Sequence, residues 1–386
     1  MLWTRYQGAF PLEVAVWEMA ADGETYLREV WARPVAPAPG GYAHIEVTGL
    51  APGARHRFAF FELQGTLRSA RSLVGRFRAA LPEDAELPLV VGACSCTENG
   101  RGFAPLERAA ERDDLDLFVL LGDTTYNDSA TTLDEYRALW AENLGTPGYR
   151  GVRAGTSLLA TWDDHEVAND WDAESVDPAR RAAATQALFE HLPLRRSPGA
   201  PDRLWRSARW GRTLEVFVLD CRGERRPSQE LYVSREQLDW LKAGLAASPA
   251  VFKIIANSVP IGDFPLPFDA ARNDRWEGYP AQRDEILGHI HDGGITGVIW
   301  LSGDFHLACM GRLAESGVGS TQLEVLAGPG AKAGNPLWTV LFSPPFDWAS
   351  GTNNYTALHL DPARREVRVV FTAGDGAVIA DRTYAV

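Results

Sequence analysis

Cysteine is scarce: the 386-residue chain has only Cys94, Cys96, Cys221 and Cys309, too few for a disulfide framework in a protein of this size. A buried apolar core must therefore hold it together, and a reducing compartment fits. No run reaches the roughly 18–20 uninterrupted apolar residues of a membrane-spanning helix. The opening MLWTRYQGAF lacks the basic-then-apolar layout of a signal peptide. Read as given, the chain is expected to be soluble and cytoplasmic, or periplasmic or secreted if a leader has been removed. Basic stripes are missing as well. The net charge is −13 and the longest basic runs are pairs and triplets such as Arg225 with Arg226, which disfavours a nucleic-acid duplex as partner.

What is present describes an ordinary globular protein, 45 % hydrophobic and 23 % charged, with 13 Trp to fill a core or a pocket. Its length exceeds the ~250–300 residues at which one core usually stops growing, so a large domain with a smaller companion is expected. Over the first eighty residues, short alternating strands at 13–19, 26–35, 42–47, 56–63 and 72–78 are separated by turn residues. They read as a small β-sandwich over 1–82. The passage VTGLAPGARHRFAFF resembles the strand, turn, strand corner of fibronectin-type and immunoglobulin-like modules. The segment 81–87 reads as a linker to a second domain over 88–386.

Beyond it come six apolar runs, LPLVVGAC, DLFVLLGD, SLLATWDD, TLEVFVLD, FKIIANSV and GVIWLSGD. Near-continuous runs of this kind predict strands covered on both faces. Helices are predicted at 179–191, at 280–291, and after Ser234, where Ser-Arg-Glu-Gln has the form of a capping box. Further strands are predicted at 322–327 and 364–372. The class is α/β or α+β, layered around a sheet. In such sheets ligands bind beyond the carboxyl ends of the strands, where all six runs end in reactive residue types: Cys94, Asp123 with Tyr126, Asp163 to Glu166, Asp220 with Arg222 and Arg225, Asn257 with Ser258, and Asp304 with His306. Carboxylates, a thiol, a phenol and imidazoles at neighbouring strand ends make a metal cage.

The motifs GAC, GDTTY, WDDHEVAND, LDCRGER and LSGDFH, in that order over about residues 88–310, resemble the motif series of the alkaline phosphatase D family within the calcineurin-like metallophosphoesterases. The resemblance implies a four-layer α/β/β/α sandwich and hydrolysis of phosphate esters by a metal-activated hydroxide at a centre of ferric iron and calcium, with Zn²⁺ or Mn²⁺ as alternatives. It implies Cys94, Asp123 and Tyr126 as ligands of the ferric ion, Asp123 as a bridge, and Asp164, Asp304 and His306 as further ligands, with Asn169 a weaker candidate. His165 would be general acid or charge stabiliser. Arg222 and Arg225, with Asn257 and Ser258, would bind the phosphate.

Blander readings compete. A Gly-Asp pair at a strand end is a common turn, Cys96 could replace Cys94 as ligand, and Glu166 and Asp172 read best as caps or solvated acids. Arg222 and Arg225 could equally be ion-paired with nearby acids. The expected partners are small-molecule or lipid phosphate esters, with a catalytically silent scaffold as the rival function.

Overall fold

The computed structural model describes residues 1–341 and 345–386, apart from the side chains of Leu266 and Asp269. The amino-terminal strands are β1 (Leu2–Arg5), β2 (Leu12–Met19), β3 (Tyr26–Val35), β4 (Tyr42–Ile45), β5 (Arg55–Gln64), β6 (Leu67–Arg71) and β7 (Gly75–Arg78). They form an antiparallel sheet in the order β3-β2-β5-β6, with β7 also on β5, faced by a β1-β4 pair. Leu2, Val14, Val16, Ala43 and Phe60 pack between the two. The strand expected at 72–78 begins only at Gly75.

The six apolar runs form six strands: β8 (Leu89–Cys94), β9 (Leu117–Leu121), β10 (Ser157–Thr161), and, after β11 (Arg206–Trp210), β12 (Leu214–Val218), β13 (Phe252–Ala256) and β14 (Val298–Ser302). The chain closes with β15 (Ala308–Arg312), β16 (Leu323–Leu326), β17 (Phe346–Ser350), β18 (Asn354–Asp361), β19 (Glu366–Ala373) and β20 (Val378–Ala385). One sheet runs β10-β9-β8-β18-β19-β20 and the other β11-β12-β13-β14-β16-β15-β17. β8, β9 and β10 are mutually parallel, as are β12, β13, β14 and β16. Val91, Val119, Val216, Ile254, Leu301 and Val369 interlock between the sheets as the central core.

Helices cover the outer faces. α1 (Ala104–Ala110), α2 (Leu133–Leu144), α3 (Pro147–Gly155) and α4 (Pro178–His191) pack on the first sheet through Leu106, Trp140, Tyr149 and Leu188. α5 (Arg235–Ala247) and α6 (Pro280–Asp292) cover the second through Leu238, Leu241, Ile286 and Ile290. The result is the expected four-layer α/β/β/α sandwich. One local expectation needs correction. Ser234 caps α5 by accepting the Gln237 N–H at 3.1 Å, but the Gln237 amide turns inward to Asp220 and Glu224 instead of closing a capping box. Segment 81–87 is pinned to the large body: Leu81 joins the central core, and Leu87 exchanges backbone hydrogen bonds with the Thr213 hydroxyl at 2.9 and 2.8 Å.

Candidate metal centre and active site

The parallel strands of both sheets end at one edge of the sandwich, and the second residue past each strand carries a polar group: Cys96 after β8, Asp123 after β9, Asp163 after β10, Asp220 after β12, Ser258 after β13 and Asp304 after β14. Close approach makes this convergence possible. A Cβ on Gly122, whose φ is +91°, would lie 2.6 Å from the Asp163 Cβ, and one on Gly303 would lie 2.7 Å from the Ser95 Cβ. Loop-to-loop hydrogen bonds fix the arrangement: Thr97 N to Asp123 O at 2.9 Å, Asn127 N to His165 O at 2.8 Å and Gly303 N to Ser258 O at 3.0 Å.

Three ligand sets meet at Asp123. Its carboxylate lies within 4.8 Å of donors from Cys96 and His306, from Asp164 and His165, and from Asp163 and Asp304. Tyr126 joins the first set, its hydroxyl 3.0 Å from Asp123 Oδ2 and 3.3 Å from His306 Nε2. The other oxygen, Asp123 Oδ1, is buried and has no hydrogen-bond partner among the described residues, which is unusual for a carboxylate. Burial, reinforced by Asp164, Asp163 and Glu166, pushes Asp123 far above the ordinary carboxylate range. Burial does the same to Asp304, and to the Cys96 thiol with help from the Asp123 charge. These groups cannot all be ionised unless cations lie among them. The donor set therefore fits metal ions, and it divides by chemistry. Sulfur, phenol and imidazole on one side of Asp123 suit a transition metal, and carboxylates on the other suit a hard cation.

Glu166 is buried and holds the site together. Its carboxylate accepts from the backbone N–H groups of Asp123 at 3.1 Å, Thr124 at 2.6 Å and Asp163 at 2.9 Å, so the reading of Glu166 as a solvated cap is overturned. Asp172 does make such an exposed turn, accepting from Glu174 N and Ser175 N. The His165 ring packs tilted by 30° against that of Tyr126, centroids 4.1 Å apart, and its Nδ1 lies 2.8 Å from Asp128. Burial lowers its basicity, but the Asp128 hydrogen bond and the Asp164 charge outweigh that and raise it to about 9.

The other residues anticipated from sequence divide between the cluster's margin and the core. Cys94 points into the outer helical core beside Phe118 and Leu120, its Sγ nearest the Ser95 and Asn354 carbonyls, and burial lifts its thiol to about 12. The sulfur in the cluster is Cys96. Asn169 donates its side-chain amide to Asp170 at 2.6 Å and its backbone N–H to Asp128 at 2.7 Å. Ser258 donates to Asp163 at 3.1 Å, and Asn257 Oδ1 receives the Cys221 thiol at 2.9 Å and the Trp276 indole at 3.1 Å. Arg222 and Arg225 are buried and ion-paired. Arg222 holds Asp163 at 2.7 and 3.2 Å and grips Asp274 with both terminal nitrogens, and Arg225 binds Asp274 at 2.5 Å. Three site residues were not anticipated: Asp128; Asp274, whose side chain is 21 % exposed; and Lys332, with Nζ 4.3 Å from the Tyr126 ring centroid.

A model of the PhoD-like phosphatases matches residues 89–336, a span containing every residue of the cluster. The chain belongs to the PhoD-like phosphatase family. It is 28 % identical over 373 residues to alkaline phosphatase D of Bacillus subtilis (strain 168), an alignment covering 81 % of this chain and 63 % of that protein. It therefore spans less than two thirds of that relative's length. A solved structure described as that of PhoD superposes with a TM-score of 0.84 at 21 % identity, covering 99 % of this chain and 87 % of that one. The purple acid phosphatase PPD1 from yellow lupin (Lupinus luteus) seeds superposes at 0.70 with 13 % identity, covering 97 % and 69 %. Both likenesses concern the fold, and they carry the four-layer sandwich. Among the described residues no helix is long and apolar enough to cross a membrane.

Proposed function

We propose that this chain hydrolyses phosphate esters at the Asp123 cluster, in the manner of the family to which it belongs. One observation carries the reading: a buried carboxylate with an unpartnered oxygen stands at the junction of three ligand sets. Cys96, Tyr126 and His306, with Asp123, would hold a ferric ion, and Asp164 or the Asp163–Asp304 pair, also with Asp123, would hold a calcium ion; Zn²⁺ or Mn²⁺ are the alternative pair. When bound, such ions lower the pKa of water from ~16 toward ~7 and neutralise the phosphoryl oxygens.

The chain's own residues supply the rest. His165, its ring fixed by the Asp128 carboxylate at 2.8 Å, would give a proton to the leaving oxygen. Asp163 is held by Arg222 and Ser258, which keeps the β10 turn rigid. Arg222 and Arg225 take the phosphate where Asp274 now sits, planar guanidinium groups matching either anion. Diesters are preferred over dianionic monoesters because the protein is strongly acidic. Domains over 1–82 and 88–386 divide the labour, with the catalytic groups in the second. Asp123→Ala should abolish hydrolysis of bis-p-nitrophenyl phosphate with the fold retained, and Tyr126→Phe should bleach a visible charge-transfer band. An active Asp123→Ala would refute the mechanism, and a colourless, fully active wild type would exclude the ferric ion.

A further inference from the structure

Where β1, β5 and β7 meet helices α2 and α3, a half-open cavity of about 590 Å³ indents the molecule, within the ~300–1,000 Å³ usual for small-molecule sites. Trp3, Phe58, Phe60 and Leu144 give it apolar walls, and Leu73, 54 % exposed, leaves its rim open to an apolar chain. Its charge is one-sided. Arg5, Arg76, Arg150 and Arg153 line it and, among the described residues, no aspartate or glutamate does, in a chain carrying 51 acids to 38 bases.

Nor are these cations neutralised nearby. Among the described residues none of the four makes an ion pair, although arginine–carboxylate pairs are frequent elsewhere in the molecule. Arg5 donates to the Gly40 carbonyl at 3.2 Å, Arg76 to that of Gly155 at 3.0 Å and Arg153 to that of His191 at 3.0 Å. Arg153 also stacks over Trp3 at 4.0 Å. Burial without a counter-charge lowers Arg153 to about 10. A desolvated cation without a carboxylate partner, as Arg153 is, is costly, and an anion entering the cavity would relieve it while also meeting the exposed Arg5 and Arg150.

We infer that this cavity is a binding site for an amphiphile with one aliphatic chain and an anionic head group, the chain lying on the aromatic wall and the head on the arginines. The site is independent of the phosphoesterase reading. It lies at the Ser157 end of β10, whereas Asp163 and Asp164 follow the opposite end of that strand.

The test titrates the full chain with 11-(dansylamino)undecanoate, whose emission rises on burial, then displaces it with laurate, dodecyl phosphate or dodecyltrimethylammonium below their micellar concentrations. Laurate and dodecyl phosphate should displace the probe, and their ranking identifies the preferred head group. The cationic chain should be at least about tenfold weaker, a difference of about 1.4 kcal/mol. Arg150→Glu, at an exposed position, should weaken the anionic chains by a similar factor at unchanged melting temperature. Equal displacement by the cationic chain, absence of probe binding, or unchanged affinity in Arg150→Glu would overturn the proposal.

Discussion

Two cysteines two residues apart have opposite surroundings, and replacing each with alanine gives opposite outcomes. Cys94 is 1 % exposed and packs among apolar side chains. Removing its sulfur deletes about the volume of one buried methyl group, costing about 1 kcal/mol, or about 2 °C in a protein of this length. Metal content and turnover should remain. Cys96 offers its sulfur within 4.8 Å of the Asp123 and His306 donors, so Cys96→Ala removes a ligand from the centre. Loss of groups that merely orient metal ligands already weakens metal binding ~10–100-fold, and loss of the ligand itself should exceed about 100-fold. The assay is elemental analysis of both variants after identical dialysis, beside their visible spectra and hydrolysis of bis-p-nitrophenyl phosphate. A Cys94→Ala protein that loses its metal while Cys96→Ala keeps it would refute the assignment.

Asp274→Asn should lower KM for bis-p-nitrophenyl phosphate by about three- to tenfold with kcat little changed, because the arginine fork loses its internal anion. An unchanged KM would make Arg222 and Arg225 purely structural. Glu166→Ala leaves three backbone N–H groups without their acceptor, each costing about 1–3 kcal/mol; chemical denaturation should show a loss of several kcal/mol, with Glu166→Gln intermediate. Burial lowers His191 from 6.5 to about 4, so the unfolded chain binds more protons between those values and stability must fall as pH drops from about 6.5 to about 4. The full linkage is about 3 kcal/mol, and denaturation midpoints of His191→Gln should lack that part of the fall. Stripping the metals should lower the melting temperature, and restoring a cation to 1,000 times its Kd should return about 4 kcal/mol; a stripped protein of unchanged stability would contradict a cation site at Asp123.

Much of the fold can be read from the chain because parallel strands covered on both faces must be continuously apolar, and β8, β9, β10, β12, β13 and β14 are. The strands that the apolar pattern does not mark obey other rules. β18 is buried between β8 and β19, yet it carries Asn354 and Thr356 inside; Asn354 is tolerated because its amide donates to the Gly328 carbonyl at 2.9 Å. β20, at the edge of its sheet, needs little apolar character. In the site, the polar group falls on the second residue past each strand, which selects Cys96 over Cys94. Nothing local marks Asp274, which reaches Arg222 across 52 positions, or Asp128, which meets His165 across 37. Such contacts are made by the fold and leave no spacing in the chain.

The backbone gives a separate argument for the cluster. Seven non-glycine residues among those described have positive φ, and four of them are Cys96 at 55°, Asp123 at 51°, Asp304 at 72° and His306 at 51°. The left-handed conformation costs up to roughly 1–2 kcal/mol at a residue with a side chain, and less for Asp and His, which tolerate it best. Strain of this kind persists only where surrounding structure over-determines it, and it gathers at functional sites. Here the surroundings are visible: the Glu166 strap holds the Asp123 turn, and Thr97 N and Gly303 N tie the neighbouring loops to Asp123 O and Ser258 O. Both the strain and the unfavourable charges fall on the same residues, and cations placed among them would relieve the charges while leaving the turns to aim the ligands. A chain with no use for cations would gain stability by relaxing either feature, and this one retains both.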